Sequence, residues 1–185
     1  MEKMTETISP DLLKSFIGLE FKSYRHDPIQ FTNSVYEVIG LFIGDKTYAL
    51  TNKLEDKEYY SMLDQISVLR LNEVPEIKSS LENITMIDHP VNQRISSIKL
   101  VNEHQTVYKD NLPDFEARIT RAIIFCLDNK QEIMFEKENW VYSDRIIPYK
   151  GENILTKISN PNEFIKGWDE FELRGECERQ VVELK

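Results

Sequence analysis

At 185 residues the chain is long enough for one domain with a proper core, or for two small ones. Its 41% hydrophobic and 30% charged residues describe an ordinary soluble globular protein, and no apolar run approaches the roughly 20 residues needed to span a bilayer. A formal charge of −9 argues against a nucleic-acid surface, which needs a basic patch; the acidic residues are interleaved with Lys and Arg, so the charge reads as solubility rather than nucleic-acid mimicry.

The opening residues, MEKMTETISP, are polar and acidic. They lack the apolar core of a signal peptide, which points to the cytoplasm. Residues 1–8 are expected to be flexible. Ser9-Pro10-Asp11 is a helix start, with a capping Ser, a first-turn Pro and an Asp at the positive end. Leu12, Leu13, Phe16 and Ile17 make the apolar face of that helix, and Gly18 stops it. Leu19 to Tyr24 alternates as a strand. A hairpin follows, with Val35 to Ile43 outward, Gly44-Asp45-Lys46 as the turn and Thr47 to Thr51 returning.

Asn52 to Lys57 is charged and reads as solvated, and Ile66 to Leu71 as another strand. Glu76 to Asn83 suits a helical turn or two, with Ile77 and Leu81 as its buried pair. Asp88-His89-Pro90 marks the expected seam between two halves. Ile95 to Val107 is a strand, and Asn111 to Asp114 a loop.

Everything else is arranged around Ile119 to Ile147. Ile119, Arg121, Ile123, Phe125 and Leu127 fall on one face of an extended chain, and Thr120, Ala122, Ile124 and Cys126 on the other. Both faces turn apolar, as in a central strand covered on both sides. Asp128-Asn129-Lys130 supplies the turn, and Gln131 to Phe135 returns. Glu136 to Asn139 is a polar connection, after which Trp140 to Ile147 resumes the strand pattern up to Pro148. Asn160-Pro161-Asn162-Glu163 starts a second helix with Phe164, Ile165 and Trp168 on its apolar face, and Arg179 to Leu184 suits an edge strand.

The two hairpins align without gaps. Phe31 falls on Phe115 (115 − 31 = 84), and the same offset matches Tyr24 with Tyr108, Ile39 with Ile123 and Lys46 with Lys130. This pattern reads as an internal pseudo-repeat over 12–77 and 96–158.

Catalytic and cofactor motifs are missing: there is no phosphate loop, no dinucleotide fingerprint and no nucleophile elbow. The three histidines, His26, His89 and His104, are far apart in sequence and none sits at helical ligand spacing, so no metal site is assigned. Cys126 reads as a small buried hydrophobe, Cys177 lies in a polar tail, and a disulfide between them is not expected in a reducing compartment.

One constellation remains. Arg118 and Arg121 lie near the start of the central strand; Glu136, Lys137, Trp140 and Asp144 lie near the end of the meander. Antiparallel pairing would bring them to one end of the sheet. Trp and Arg dominate binding hot spots, which makes Arg118, Arg121, Glu136, Trp140 and Asp144 a candidate binding site; an Arg–carboxylate pair with Trp closing the core edge is the structural reading of the same residues. The set Thr120-Arg121-x-x-Ile124-Phe125, Glu132-Ile133-x-Phe135-Glu136-Lys137-x-x-Trp140 and Ser143-Asp144-x-Ile146 resembles stretches in a group of small bacterial proteins of Firmicutes type without an assigned function. That resemblance implies a bacterial, intracellular protein and supplies no activity, cofactor or partner.

The sequence therefore predicts a β-rich α+β fold in one globular unit. Its sheet is mainly antiparallel, a sandwich or open barrel of two related meanders, with short helices near residues 10–18 and 161–168. The leading function is a non-catalytic protein-binding or regulatory module, with no cofactor, nucleic acid or membrane partner. The alternatives are a small-molecule binder or enzyme with a pocket between the repeats, and a homo-oligomer joined through edge strands.

Overall fold

Alternating apolar residues build most of this protein into strands. The computed structural model describes residues 2–28, 33–59, 62–139, 141–169 and 173–185. In chain order the strands are β1 (Glu2–Glu6), β2 (Glu20–His26), β3 (Val35–Tyr36), β4 (Val38–Ile43), β5 (Lys46–Tyr59), β6 (Met62–Glu73), β7 (Ile87–Lys109), β8 (Leu112–Leu127), β9 (Glu132–Lys137), β10 (Arg145–Gly151) and β11 (Arg174–Leu184). Helix α1 (Pro10–Lys14) follows β1, and a 3-10 turn (Ile154–Lys157) and α2 (Asn162–Asp169) precede β11. The β-rich, mainly antiparallel α+β fold expected from the sequence is the fold observed, with both short helices in place.

The strands form one sheet in the order β3-β10-β9-β8-β7-β2-β4-β5-β6. Strand β7 carries β8 along one edge and β11 along the other, and β2 takes over from β11 toward its N-terminal end. Both expected hairpins are present, β4–β5 and β8–β9. The sheet rolls on itself. The Asn52 side chain of β5 donates to the carbonyls of Ser143 and Arg145, both at 2.9 Å, and the Ser67 amide of β6 donates to Val141 at 2.8 Å. These bonds draw the two ends of the sheet together around the main core, which includes Phe21, Leu41, Leu50, Ile123, Phe125 and Phe135. A second core lies between the outer halves of the two longest hairpins, β5–β6 and β7–β8. It joins Ile66 and Val68 to Val107, Phe115 and Ile119, with Phe164 and Trp168 of α2 packed against it.

Several local expectations give way to tertiary contacts. The N-terminal residues do not lie loose: Glu2–Glu6 pairs in parallel with Phe115–Ile119, and Ile8 is buried. The charged stretch from Asn52 to Lys57 is largely solvated, with Lys53, Leu54 and Asp56 exposed, but it is part of β5, where Arg70 holds Glu55 at 2.7 Å and Glu6 holds Lys57. The seam expected at Asp88-His89-Pro90 lies inside β7. The loop expected at Asn111–Asp114 shrinks to a tight turn, with Asp110 and Asn111 in the left-handed region and β8 starting at Leu112. Pro148 pairs with Phe135 rather than ending its strand. No helix forms over residues 76–83. There Ile77 is drawn down onto β4, where a Cβ on Gly40 would stand 2.6 Å from it, and Leu81 is only half-buried. Filling that hole outweighs a helix propensity that is marginal for so short a segment.

Candidate functional site

The bonding register of β7 and β8 shifts at three places, and at the middle one, between Val101 and Asn102, Val101 faces Ala122 but Asn102 faces Thr120. This β-bulge leaves Arg121 without an opposite residue. In an unbroken strand Arg121 would follow Ile123 and Phe125 into the main core. The bulge turns it instead toward Glu103, which shares a face of β7 with Val101 and Gln105. Glu103 is completely enclosed. Its Oε2 accepts from Arg121 Nη2 at 2.7 Å and from Gln105 Nε2 at 3.1 Å. Its Oε1 accepts from Arg179 of β11, Nη2 at 2.6 Å and Nε at 3.2 Å. Arg121 Nη1 donates to the carbonyls of Lys137 and Glu138, both at 3.0 Å, and Arg179 Nη2 also donates to the Ser159 carbonyl at 2.6 Å. One carboxylate and two guanidinium groups thus bind β9, β8, β7 and β11 and the segment after the 3-10 turn into a single node.

Electrostatics follow from this geometry. Burial alone would push the Glu103 carboxyl up, but the Arg121 charge and the hydrogen bonds from both arginines outweigh it and hold the group at about 2. Glu136 is not part of a polar connection. It lies buried in β9, its Oε1 accepts the Ser159 amide at 2.9 Å, and burial raises its pKa. With Glu132, which accepts the Ile154 amide at 2.8 Å, it pins the 3-10 segment over Val101, Ala122, Ile124 and Met134. Cys177 on β11 is pushed up to about 12 by burial and by Glu103, so it stays a thiol and behaves as a small apolar group.

Lys137 was expected in the same polar connection and is instead buried in β9. Burial first, then the Arg121 charge, lower its amine to about 7 from an ordinary 10.5. The folded state therefore favours the neutral amine, while the unfolded chain takes up the proton below 10.5. This side chain subtracts stability as the pH falls from 10.5 to about 7, and the loss levels off below that. Lys137→Met is expected to raise stability at pH 7 by about 1–4 kcal/mol, since an apolar chain of similar length needs no buried proton. Urea melts of both proteins between pH 7 and 10 test this; a less stable variant at pH 7 would count against it.

The five site residues expected from the sequence separate. Arg121 and Glu136 enter the buried region just described. Asp144 lies at the β3–β10 end, where its carbonyl accepts the Glu37 amide at 3.0 Å and burial, followed by Glu37, raises its carboxyl. Arg118 is exposed on the outer half of β8, opposite His104 and Thr5. Trp140 lies outside the described residues.

A second cluster was not visible in the sequence. Strands β2 and β7 place Tyr24 opposite His89 and His26 opposite Ile87. The His26 and His89 rings stack at 4.4 Å, and Tyr24 stacks on His89 at 4.7 Å. His26 is buried, and its Nδ1 donates to the Asp27 carbonyl at 2.6 Å. The Asp27 carboxylate, also buried, accepts the Ser79 hydroxyl at 2.8 Å. The two histidines are brought together by strand pairing across more than sixty positions of chain, which no local spacing signals. Among the described residues no group of three or more His, Cys, Asp or Glu side chains could hold a metal ion, and no helix is long and apolar enough to cross a membrane.

No family model, no curated protein and no solved structure matches this chain.

Proposed function

We propose that this chain is a non-catalytic binding module that recognises another protein through the far ends of its two longest hairpins. The observation that carries this reading is the exposure there. Leu63 at the start of β6 is 78% exposed and Leu112 at the start of β8 is 70% exposed. Beside Leu63, Asp64 accepts the hydroxyl of Tyr142, itself 40% exposed, at 2.8 Å. Both leucines extend past the second core that the hairpins share. Large apolar side chains left this exposed at the ends of the hairpins suit a protein partner. Membership of the Firmicutes-type bacterial group and a place in the cytoplasm belong to the same proposal, and two free thiols fit it.

The alternatives draw less support. Phe21, Phe125 and Phe135 fill the interior where a ligand pocket between the two halves would lie. An open recess of about 130 Å³ beside Leu12 and Asn72 is smaller than the roughly 300 Å³ at which small-molecule sites begin. Edge strand β11 bears Arg174, Glu176, Glu178, Arg179 and Glu183, and such charges discourage pairing between copies.

Affinity capture from a bacterial lysate tests the proposal, with wild type and a Leu63→Glu/Leu112→Glu variant in parallel. Both sites are exposed, so the melting temperature should barely change. A protein recovered by wild type and lost with the folded variant is the expected result. Equal recovery by both, or nothing specific with either, overturns it.

A further inference from the structure

We propose that the stacked His26–His89 pair is an acid-released latch, which frees the end of β2 from the start of β7 as the pH falls below neutral. The pair occupies the last rungs of that pairing. His26 is the final residue of β2, and Ile87 opposite it is the first residue of β7. The three rings of Tyr24, His89 and His26 form a continuous ladder within these rungs, with neighbouring planes at 10° and 21°. The next residue, Asp27, holds Ser79 and with it the segment that runs into β7.

Neutral imidazoles stack without penalty; two imidazolium ions in face-to-face contact repel. His26 Nδ1 already carries its hydrogen, because the Asp27 carbonyl can only accept, so a further proton must go to Nε2. His89 Nε2 is enclosed and has no partner, so a proton placed there would meet no acceptor. The charged groups facing the pair do not cancel this. Asp27 favours a charged His26, and Asp88 favours a charged His89 but is engaged by Arg25 at 2.6 and 3.0 Å. Lys150 of β10 opposes charge on His89, as does His26 itself, and burial raises the Tyr24 phenol above its ordinary value, so it stays neutral. Burial outweighs the favourable groups at both rings and lowers both pKa values from 6.5. The closed latch therefore prefers both rings neutral. The open form takes up protons first, so closure weakens as the pH drops below about 6.5 and the weakening saturates below the closed-state values.

Hydrogen exchange of the intact chain from pH 7.5 to 5.0, read by mass spectrometry and corrected for intrinsic rates, tests the latch. Peptides covering residues 20–28 and 84–92 should open about tenfold more per pH unit below 6.5 for each histidine that is charged only in the open form. Peptides around Ile123 should lack that slope. The His26→Gln/His89→Gln variant should lose it, and His104→Gln, on the outer half of β7, should keep it. A flat wild-type profile, an equal slope around Ile123 or an unchanged slope in the double variant would each overturn the proposal; the first two need no variant that folds.

Discussion

Glu103→Gln is expected to lower the stability of this protein by about 3–5 kcal/mol at pH 7, the loss typical of breaking a buried ion pair from one side. Size and shape barely change, so packing is not the cause. The neutral amide takes away the carboxylate that Arg121 Nη2 bonds, leaves the enclosed guanidinium hydrogen-bonded to the Lys137 and Glu138 carbonyls, and removes the counter-charge from Arg179 as well. Arg121 Nε is already enclosed without a partner, so the node has no slack to absorb the change. For a chain of this length the shift corresponds to a melting temperature lower by roughly 10 °C. The pH profile separates the charge from any steric effect. The native carboxyl titrates at about 2 and its ordinary value is 4.5, so the wild type should lose this contribution as the pH falls from 4.5 toward 2. The glutamine variant should lack that part of the acid transition. A variant that melts within a degree of wild type at pH 7 would show that the node contributes nothing.

Ile123→Asp is expected to abolish folding. Ile123 is completely buried in the main core, between Leu100 of β7 and Phe135 of β9. Truncating such a side chain costs about 2–5 kcal/mol in lost burial and cavity formation. Placing a carboxylate there adds the cost of an unpaired buried charge. The sum reaches the whole stability of an ordinary domain, about 5–15 kcal/mol. Circular dichroism and solubility of the purified variant check this. A soluble variant with an unchanged melting temperature would refute the placement of Ile123.

Strand identity was legible wherever one physical signal dominated. The alternation from Ile119 to Leu127, the Asp128-Asn129-Lys130 turn and the Ser9-Pro10 helix start are all encoded within a few residues, and all three are present. Boundaries failed where distant partners decide them. Asn52 to Lys57 is solvated as expected, but its place inside β5 was hidden because its ion-pair partners, Glu6 and Arg70, lie far away in sequence. Glu136 and Lys137 read as polar punctuation because nothing local announces that Ser159 will cap one or that Arg121 will crowd the other.

The candidate site was legible only in its residue types. An Arg–carboxylate pair was expected around Arg121, but its partner proved to be Glu103 rather than Glu136 or Asp144. The β-bulge that redirects Arg121 adds one residue to one strand, and alternation cannot see it until the register of both strands is known. The stacked histidines escaped notice for a related reason. They are neighbours only because β2 pairs with the start of β7, the very stretch that reads as a seam between halves.

In the proposed function the buried charge node is scaffold and the exposed ends of the two longest hairpins are the binding surface. One measurement tests that division most directly: capture of the partner by wild type, by Glu103→Gln held well below its melting temperature, and by Leu63→Glu/Leu112→Glu. The glutamine variant, though less stable, is expected to retain the partner, while the better-folded surface variant loses it. Loss of the partner by folded Glu103→Gln, with full retention by the surface variant, would move the site into the node.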